Sequence, residues 1–257
     1  ATLLNKPEEA ALFTKMAEEY REAFCRVLVQ EDAIIAGDSQ CAYILALVMN
    51  ILPPEQRQRA AEHLVRTIAR RDNHLATGFV GVSYLLPVLT EYGYTDLAYE
   101  LLLCDTYPSW CYSVRNGATT IWERWNSYTK EDGFADTGMN SFNHYAYGCV
   151  GDWMYGKICG VEIAEGGEGY SKLNIAPHPC ERLGFARCSI DTARGRLESA
   201  WYYSGQSVKL EFTIPEGTQP GTEFSIKQKG IPYVNNANRR GDLIFTVTVE
   251  IPKGLSE

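Results

Sequence analysis

The spacing of apolar residues changes once along this chain, close to Gly160, and that change limits the folds open to it. Before it, apolar side chains recur every third or fourth position. After it they alternate. The first pattern belongs to amphipathic helices and the second to strands with one buried face. Residues 7–29 set Leu12, Met16, Tyr20, Phe24 and Val27 on one helical stripe, opened by a proline and two glutamates. Residues 39–51 are almost wholly apolar and predict a helix buried on more than one side, stopped by Pro53 and Pro54. Helical spacing resumes over 55–70, 82–92 and 95–104. It returns over 142–159, with Phe142, Cys149, Trp153 and Met154 on one stripe. From 172 to 213 the pattern alternates, as in RLESAWYY and SVKLEFTI, with Gly195 and Gly205 at turns. The alternation continues to the end in TEFSIKQKG and DLIFTVTVEIP. The expected class is α+β, with a helical domain over 1–162 and a β domain over 163–257.

Buried helices alternating with amphipathic ones over short connections predict antiparallel helical hairpins. No sharp repeat points to a solenoid. A closed ring of hairpins fits the pattern, and periodicity alone does not separate it from an irregular bundle.

The formal charge of −8 excludes a binder driven by phosphate contacts and a surface drawn to anionic lipid. No apolar run approaches the ~18 residues of a membrane span. The eight cysteines contain no CxxC and several lie in apolar runs, the pattern of reduced, buried thiols in a cytoplasmic protein. The opening ATLLNKPEEAAL has no methionine and enters a helix almost at once, as expected of a cut inside a longer protein.

Two stretches carry candidate chemistry. In TIWERWNSY (120–128), Glu123 lies between Trp122 and Trp125 and beside Arg124. Hydrolysis of a glycosidic bond needs carboxylates for proton transfer, and aromatic faces suit the apolar face of a sugar ring. Inverting enzymes hold two carboxyl groups ~6.5–9.5 Å apart, one protonating the leaving oxygen and one activating water. Glu123 suits the second role, or it is a solvated charge with bulky neighbours. Indoles would raise its pKa and Arg124 would lower it. In SFNHYAYG (141–148), His144 is expected in the first helical turn, off the apolar stripe, with Gly148 and Gly151 leaving space for a ligand or for a second helix. His74, in HLATGF, either caps a helix or lines a cleft. Trp110, Tyr107 and Tyr112 read as wall or core. No metal cluster, phosphate loop or Ser-His-Asp arrangement is visible, and HPC at 178–180 is too little for zinc.

Taken together, SQCAYILAL (39–47), HLATGF, LLPVLTEYGYTDLAYELLLCDTYPSW (85–110), NGATTIWERWNSY (116–128) and FNHYAYGCVGDWMYGKICGV (142–161) resemble the C-terminal half of the family 78 glycoside hydrolases, the bacterial α-L-rhamnosidases. The resemblance covers about residues 1–215. It implies part of an (α/α)6 barrel followed by an antiparallel β-sandwich. It implies hydrolysis, with inversion, of terminal α-L-rhamnosyl groups on a glycoside or oligosaccharide, without metal or organic cofactor. Glu123 falls on the family's general base and His144 on the histidine that contacts the sugar. Trp122 and Trp125 are motif neighbours expected at the substrate. The family's general acid is a glutamate in an acidic, tryptophan-containing motif that these residues do not include. Asp32 and Asp38 are acidic and near a helix entrance, but neither carries it. The resemblance therefore implies a base without its acid, and little activity from this chain alone.

The tail differs. Residues 212–257 resemble the C-terminal substrate-binding region of bacterial DnaJ co-chaperones, where an IPEGTQPG turn, KGIP and an RGDL strand follow in this order. Neither the HPD tripeptide nor the zinc-binding cysteine repeat of that family is present. Residues 219–257 hold 5 basic and 4 acidic residues, against 19 and 28 before them. A junction near Thr218, at the short segment IPEGT, is the expected point where two origins meet. The alternative function is then a peptide-binding chaperone module.

Overall fold

The computed structural model describes residues 1–170, 173–193, 195–205 and 207–213, together with the backbone of the strands Glu223–Ile226, Pro232–Tyr233, Asn236–Arg240 and Leu243–Thr246. Two compact units form, Ala1–Val150 and Gly151–Glu257.

The first unit is helical. Its main elements are α1 (Pro7–Leu28), α2 (Gln40–Val48), α3 (Pro54–Ala69), α4 (Phe79–Glu91), α5 (Thr95–Leu103) and α6 (Trp110–Arg115). The sequence sets their limits. The Ser39 hydroxyl caps α2 by accepting from the Ala42 N–H at 3.3 Å, and Pro54 opens α3 where no amide donor is required. α2 buries Tyr43, Ile44, Ala46 and Leu47, and α3 buries Ala60, Ala61, Leu64 and Ile68 on one stripe. α4 adds Val82, Leu85, Leu86, Val88 and Leu89, and α5 adds Ala98, Tyr99, Leu101 and Leu102. Consecutive helices α2–α3 and α4–α5 pack as hairpins, with α2 also against α4. Gly81 permits the last approach, since a Cβ there would lie 3.2 Å from the Cys41 sulfur. No described helix is long and apolar enough to cross a membrane.

Helix α1 forms as expected, but its apolar stripe is not covered. None of its residues is buried, and Tyr20 is 70% exposed. Tyr20, Phe24 and Val27, with Met49 and Ile51, line an open groove of about 500 Å³.

Asp32 and Asp38 have structural partners. Asp32 takes two hydrogen bonds from Arg59, at 2.7 and 2.5 Å, and the ring of buried His63 meets its carbonyl at 2.6 Å. Asp38 accepts from the Tyr43 hydroxyl and from Arg70, each at 2.6 Å. The Tyr43 hydrogen bond, joined by Arg70 and Arg66, holds the Asp38 carboxyl below the ordinary 3.8 although burial opposes it. A depressed folded pKa stabilises the fold above the unfolded value, and that stabilisation is lost as pH falls through the folded value. The Tm gap between wild type and Asp38→Asn is expected to be constant at neutral pH and to close below about pH 4. Asparagine tolerates the positive φ of 38° at this position, so the comparison isolates the charge. A gap unchanged into acid would refute it.

The 142–159 helix expected from spacing is broken. Residues 142–145 are irregular, Ala146–Cys149 is a 3₁₀ turn, α7 is only Val150–Trp153, and Met154–Ile158 is a π-helical turn. Three glycines (148, 151 and 156) in nine residues weaken α-helical propensity. His144 therefore precedes the helix rather than lying in its first turn.

Two short strands, β1 (Tyr128–Thr129) and β2 (Gly133–Phe134), form a hairpin within the first unit. In the second unit β3 (Val161–Ile163) pairs antiparallel with β4 (Leu173–Ile175). β5 (Phe185–Thr192), β6 (Gly195–Ser204) and β7 (Ser207–Thr213) form an antiparallel meander. Leu197, Ser199 and Trp201 alternate along β6 and are buried, as the period-two pattern requires. Gly205, at φ +60°, takes the tight turn between β6 and β7. Beyond them β8 (Glu223–Ile226) pairs with β11 (Leu243–Thr246), and β9 (Pro232–Tyr233) with β10 (Asn236–Arg240), both antiparallel. The expected junction at IPEGT and Thr218, the whole IPEGTQPG turn, the KGI of KGIP and the GD of RGDL lie outside the described residues.

Candidate active site

The two stretches singled out in the sequence meet. The Glu123 N–H donates to the Ser141 carbonyl at 2.9 Å, and the His144 N–H donates to the Ile121 carbonyl at 2.8 Å. The Thr120 hydroxyl donates to the Phe142 carbonyl. Residues 120–123 thus lie along 141–144 without forming a named strand.

Glu123 is half-buried, and its Oε2 accepts the Ser141 N–H at 2.7 Å. Main-chain and side-chain bonds to one residue clamp the carboxylate in place. The clamp engages Oε2 and leaves Oε1 outside it. Arg124 reaches instead towards the Met139 carbonyl, at 3.4 Å. The loop behind is pinned by Ser127, whose hydroxyl accepts the Arg124 N–H at 3.1 Å, and by the Asn140 amide, which donates to the carbonyls of Ser127 and Ala135.

His144 lies between two rings. Phe79 stacks on it with centroids 4.9 Å apart, and Tyr145 stacks with it at 5.4 Å. Its Nδ1 accepts the Ala146 N–H at 3.3 Å. With Nδ1 accepting, Nε2 is the ring nitrogen left to donate.

The neighbouring indoles differ. Trp122 is 7% exposed and packs edge-on against Phe142 and Tyr128. Trp125 is half-buried and stacks on Tyr147 at 3.9 Å, with Trp110 edge-on at 5.3 Å. Its indole N–H donates to the Thr77 carbonyl at 2.8 Å, and that of Trp110 to the Tyr147 carbonyl at 2.9 Å. Burial raises the Tyr147 phenol to about 12, so it stays a neutral wall at physiological pH. Trp125 and His144 thus share one aromatic neighbourhood with Phe79 and Tyr147.

His74 is a loop-packing residue. Its Nδ1 meets the carbonyls of Arg71 and Asp72, and its Nε2 meets the Thr106 hydroxyl at 2.7 Å. Among the described residues no His, Cys, Asp or Glu cluster could hold a metal.

Sequence reasoning did not assign roles to Ser141, Phe79 or Tyr147. Ser141 acts through its main chain, which no side-chain signal marks. Phe79 lies at the start of α4, far from His144 in sequence. Tyr147 was visible only as one more aromatic in SFNHYAYG.

The family model for the bacterial alpha-L-rhamnosidase 6 hairpin glycosidase domain matches residues 1–158, and that for the bacterial alpha-L-rhamnosidase C-terminal domain matches residues 160–221. The chain is 44% identical over 218 residues to an alpha-L-rhamnosidase of Streptomyces avermitilis, covering 85% of this chain and 21% of that protein. It is 40% identical over 242 residues to one of Formosa agariphila, covering 93% and 26%. The crystal structure of the Streptomyces avermitilis alpha-L-rhamnosidase complexed with L-rhamnose superposes with a TM-score of 0.81 at 38% identity, over 96% of this chain and 25% of that one. The native enzyme from Aspergillus terreus gives 0.80 at 31% identity, over 96% and 28%. A stretch of 47 residues, 18% of this chain, is 53% identical to the chaperone protein DnaJ of Finegoldia magna, covering 12% of it. The chain spans between about a fifth and just over a quarter of the length of these rhamnosidases.

Proposed function

The chain belongs to the bacterial α-L-rhamnosidase family, and from that premise we propose that it carries the general-base side of an inverting rhamnosidase active site. In this reading residues 1–162 are part of an (α/α)6 barrel. Residues 163–257 are a β-sandwich-like domain whose last segment, 219–257, has a DnaJ-like origin. Further hairpins of the barrel would cover the exposed stripe of α1. The substrate is a glycoside or oligosaccharide ending in a non-reducing α-L-rhamnosyl group.

The observation that carries this reading is the clamp of Glu123 by Ser141 alongside His144. Oε1 of Glu123 takes a proton from a water as that water attacks the anomeric carbon. A carboxylic acid on the opposite side protonates the leaving oxygen. His144 donates from Nε2 to a sugar hydroxyl. Trp125, with one indole face covered by Tyr147, offers its exposed edge to the ring. Trp122, mostly buried, contributes chiefly as the backing of the Glu123 segment.

These 257 residues supply the base without the family's acid motif. The chain alone is therefore expected to hydrolyse 4-nitrophenyl α-L-rhamnoside at the rate of buffer. Turnover that Glu123→Ala abolishes would overturn that expectation. L-rhamnose binding, read by saturation-transfer NMR, is expected to weaken about 2- to 10-fold in His144→Ala, the range for one lost hydrogen bond. Binding unchanged by that substitution would remove His144 from the site.

A second reading has its own observation. The DnaJ-like stretch and the paired strands β8–β11 and β9–β10 fit a peptide-binding chaperone module. Capture of a denatured client peptide, with no response to L-rhamnose, would favour it.

A further inference from the structure

All eight cysteines are free thiols, yet two of them share one small core. Cys159 and Cys188 are 6% and 9% exposed and pack with Val161, Ile175 and Leu197. Their approach follows from the strand register. Cys188 on β5 lies directly opposite Ser199 on β6, so both side chains leave the same face of the sheet. On that face the Ser199 hydroxyl donates to the carbonyl of Cys159 at 2.6 Å. Ser199, the residue facing Cys188, is therefore bonded directly to Cys159. Cys159 and Cys188 thus lie in one core against one face of the β5–β6 pair.

We propose that Cys159 and Cys188 are a redox-sensitive pair that closes to an intramolecular disulfide when the chain meets a low-molecular-weight disulfide such as oxidised glutathione. Nothing in the rhamnosidase reading uses these sulfurs. The bond would tie β5 to the turn that ends the π-helical segment, closing the chain from 159 to 188.

Cys188 is the attacking sulfur. The Cys159 thiol beside it and the Ser199 main-chain N–H favour its thiolate against burial, so its pKa is lowered while that of Cys159 is raised. The Cys188 thiolate attacks one sulfur of oxidised glutathione, forming a mixed disulfide and expelling glutathione thiolate. Cys159 then loses its proton and attacks the Cys188 sulfur, releasing the second glutathione. Two protein thiols become one disulfide, and one glutathione disulfide becomes two thiols. Burial makes the first step depend on local opening of the strands, so closure is expected to be slow.

The test uses the full chain in glutathione buffers of increasing oxidised fraction. Remaining thiols are blocked with N-ethylmaleimide, and the unreduced protein is digested with trypsin. The two cysteines fall in separate peptides, 158–172 and 188–194. The expected product is these two peptides joined, two hydrogens lighter than their sum and separated by dithiothreitol. In Cys188→Ser the joined species should vanish. Recovery of both peptides singly labelled with N-ethylmaleimide at every ratio, while circular dichroism shows the native fold, would overturn the proposal. So would linkage of Cys159 to Cys180 instead, or closure found only in urea.

Discussion

Replacing Gly160 by alanine is expected to abolish cooperative folding of the second unit. Gly160 sits at φ +75°, and a Cβ built there would lie 2.0 Å from the Pro177 nitrogen and 2.3 Å from the Ala176 carbonyl carbon. These are main-chain atoms, so no side chain can rotate away. The contact is part of a zipper. The Ala176 N–H donates to the Gly160 carbonyl at 2.7 Å, and the His178 N–H donates to the Lys157 carbonyl at 2.9 Å. Next to it Val161 pairs with Ile175. Accommodating a methyl group would pull 157–163 away from 173–178. The expected cost exceeds about 4 kcal/mol, a large share of the ~5–15 kcal/mol that holds a domain together. Gly184 is the control, since it has positive φ but open space around its missing Cβ. Alanine there should cost only about 1–2 kcal/mol. Urea denaturation followed by circular dichroism and limited proteolysis separates the two cases. A wild-type midpoint for Gly160→Ala would show that the main chain yields easily, against this argument.

Trp201 should be nearly as sensitive. It is fully buried in the middle of β6, between Ala186 on β5 and Leu210 on β7. Its indole N–H donates to the Ile158 carbonyl at 2.7 Å. Trp201→Ala removes the largest fully buried side chain and leaves a cavity, an expected loss of about 3–5 kcal/mol. Trp201→Phe keeps most of the apolar volume but orphans the Ile158 carbonyl, an expected loss of about 1–3 kcal/mol. The denaturation midpoints should therefore fall in the order wild type, Phe, Ala. Equal midpoints for Phe and Ala would mean that the hydrogen bond, not the volume, dominates.

The sequence was most legible where one period ran without interruption. The α2–α5 hairpins and the β5–β7 meander follow from it because each face has a single partner. It misled over 142–159, where apolar spacing was intact but three glycines let the backbone tighten and then widen. In the site, residue type was informative and position was not. Glu123 and His144 stand out as chemistry-bearing side chains, and their sequence neighbourhoods carried the family resemblance. The clamp on Glu123 comes from the main chain of Ser141, and every residue offers a main-chain donor. Trp122 and Trp125 looked equivalent in TIWERW. Only the irregular path of that segment turns one indole into the interior and leaves the other partly open.

The uncovered stripe of α1 has a thermodynamic consequence. A helix that buries none of its residues contributes little to a cooperative core, so its formation is governed mainly by its own helix–coil equilibrium. At 22 residues it exceeds the ~12–15 below which isolated helices are marginal in water. It can therefore persist, but it frays gradually from its ends on warming. Beside any sharp unfolding step, this chain carries a segment whose order declines smoothly with temperature.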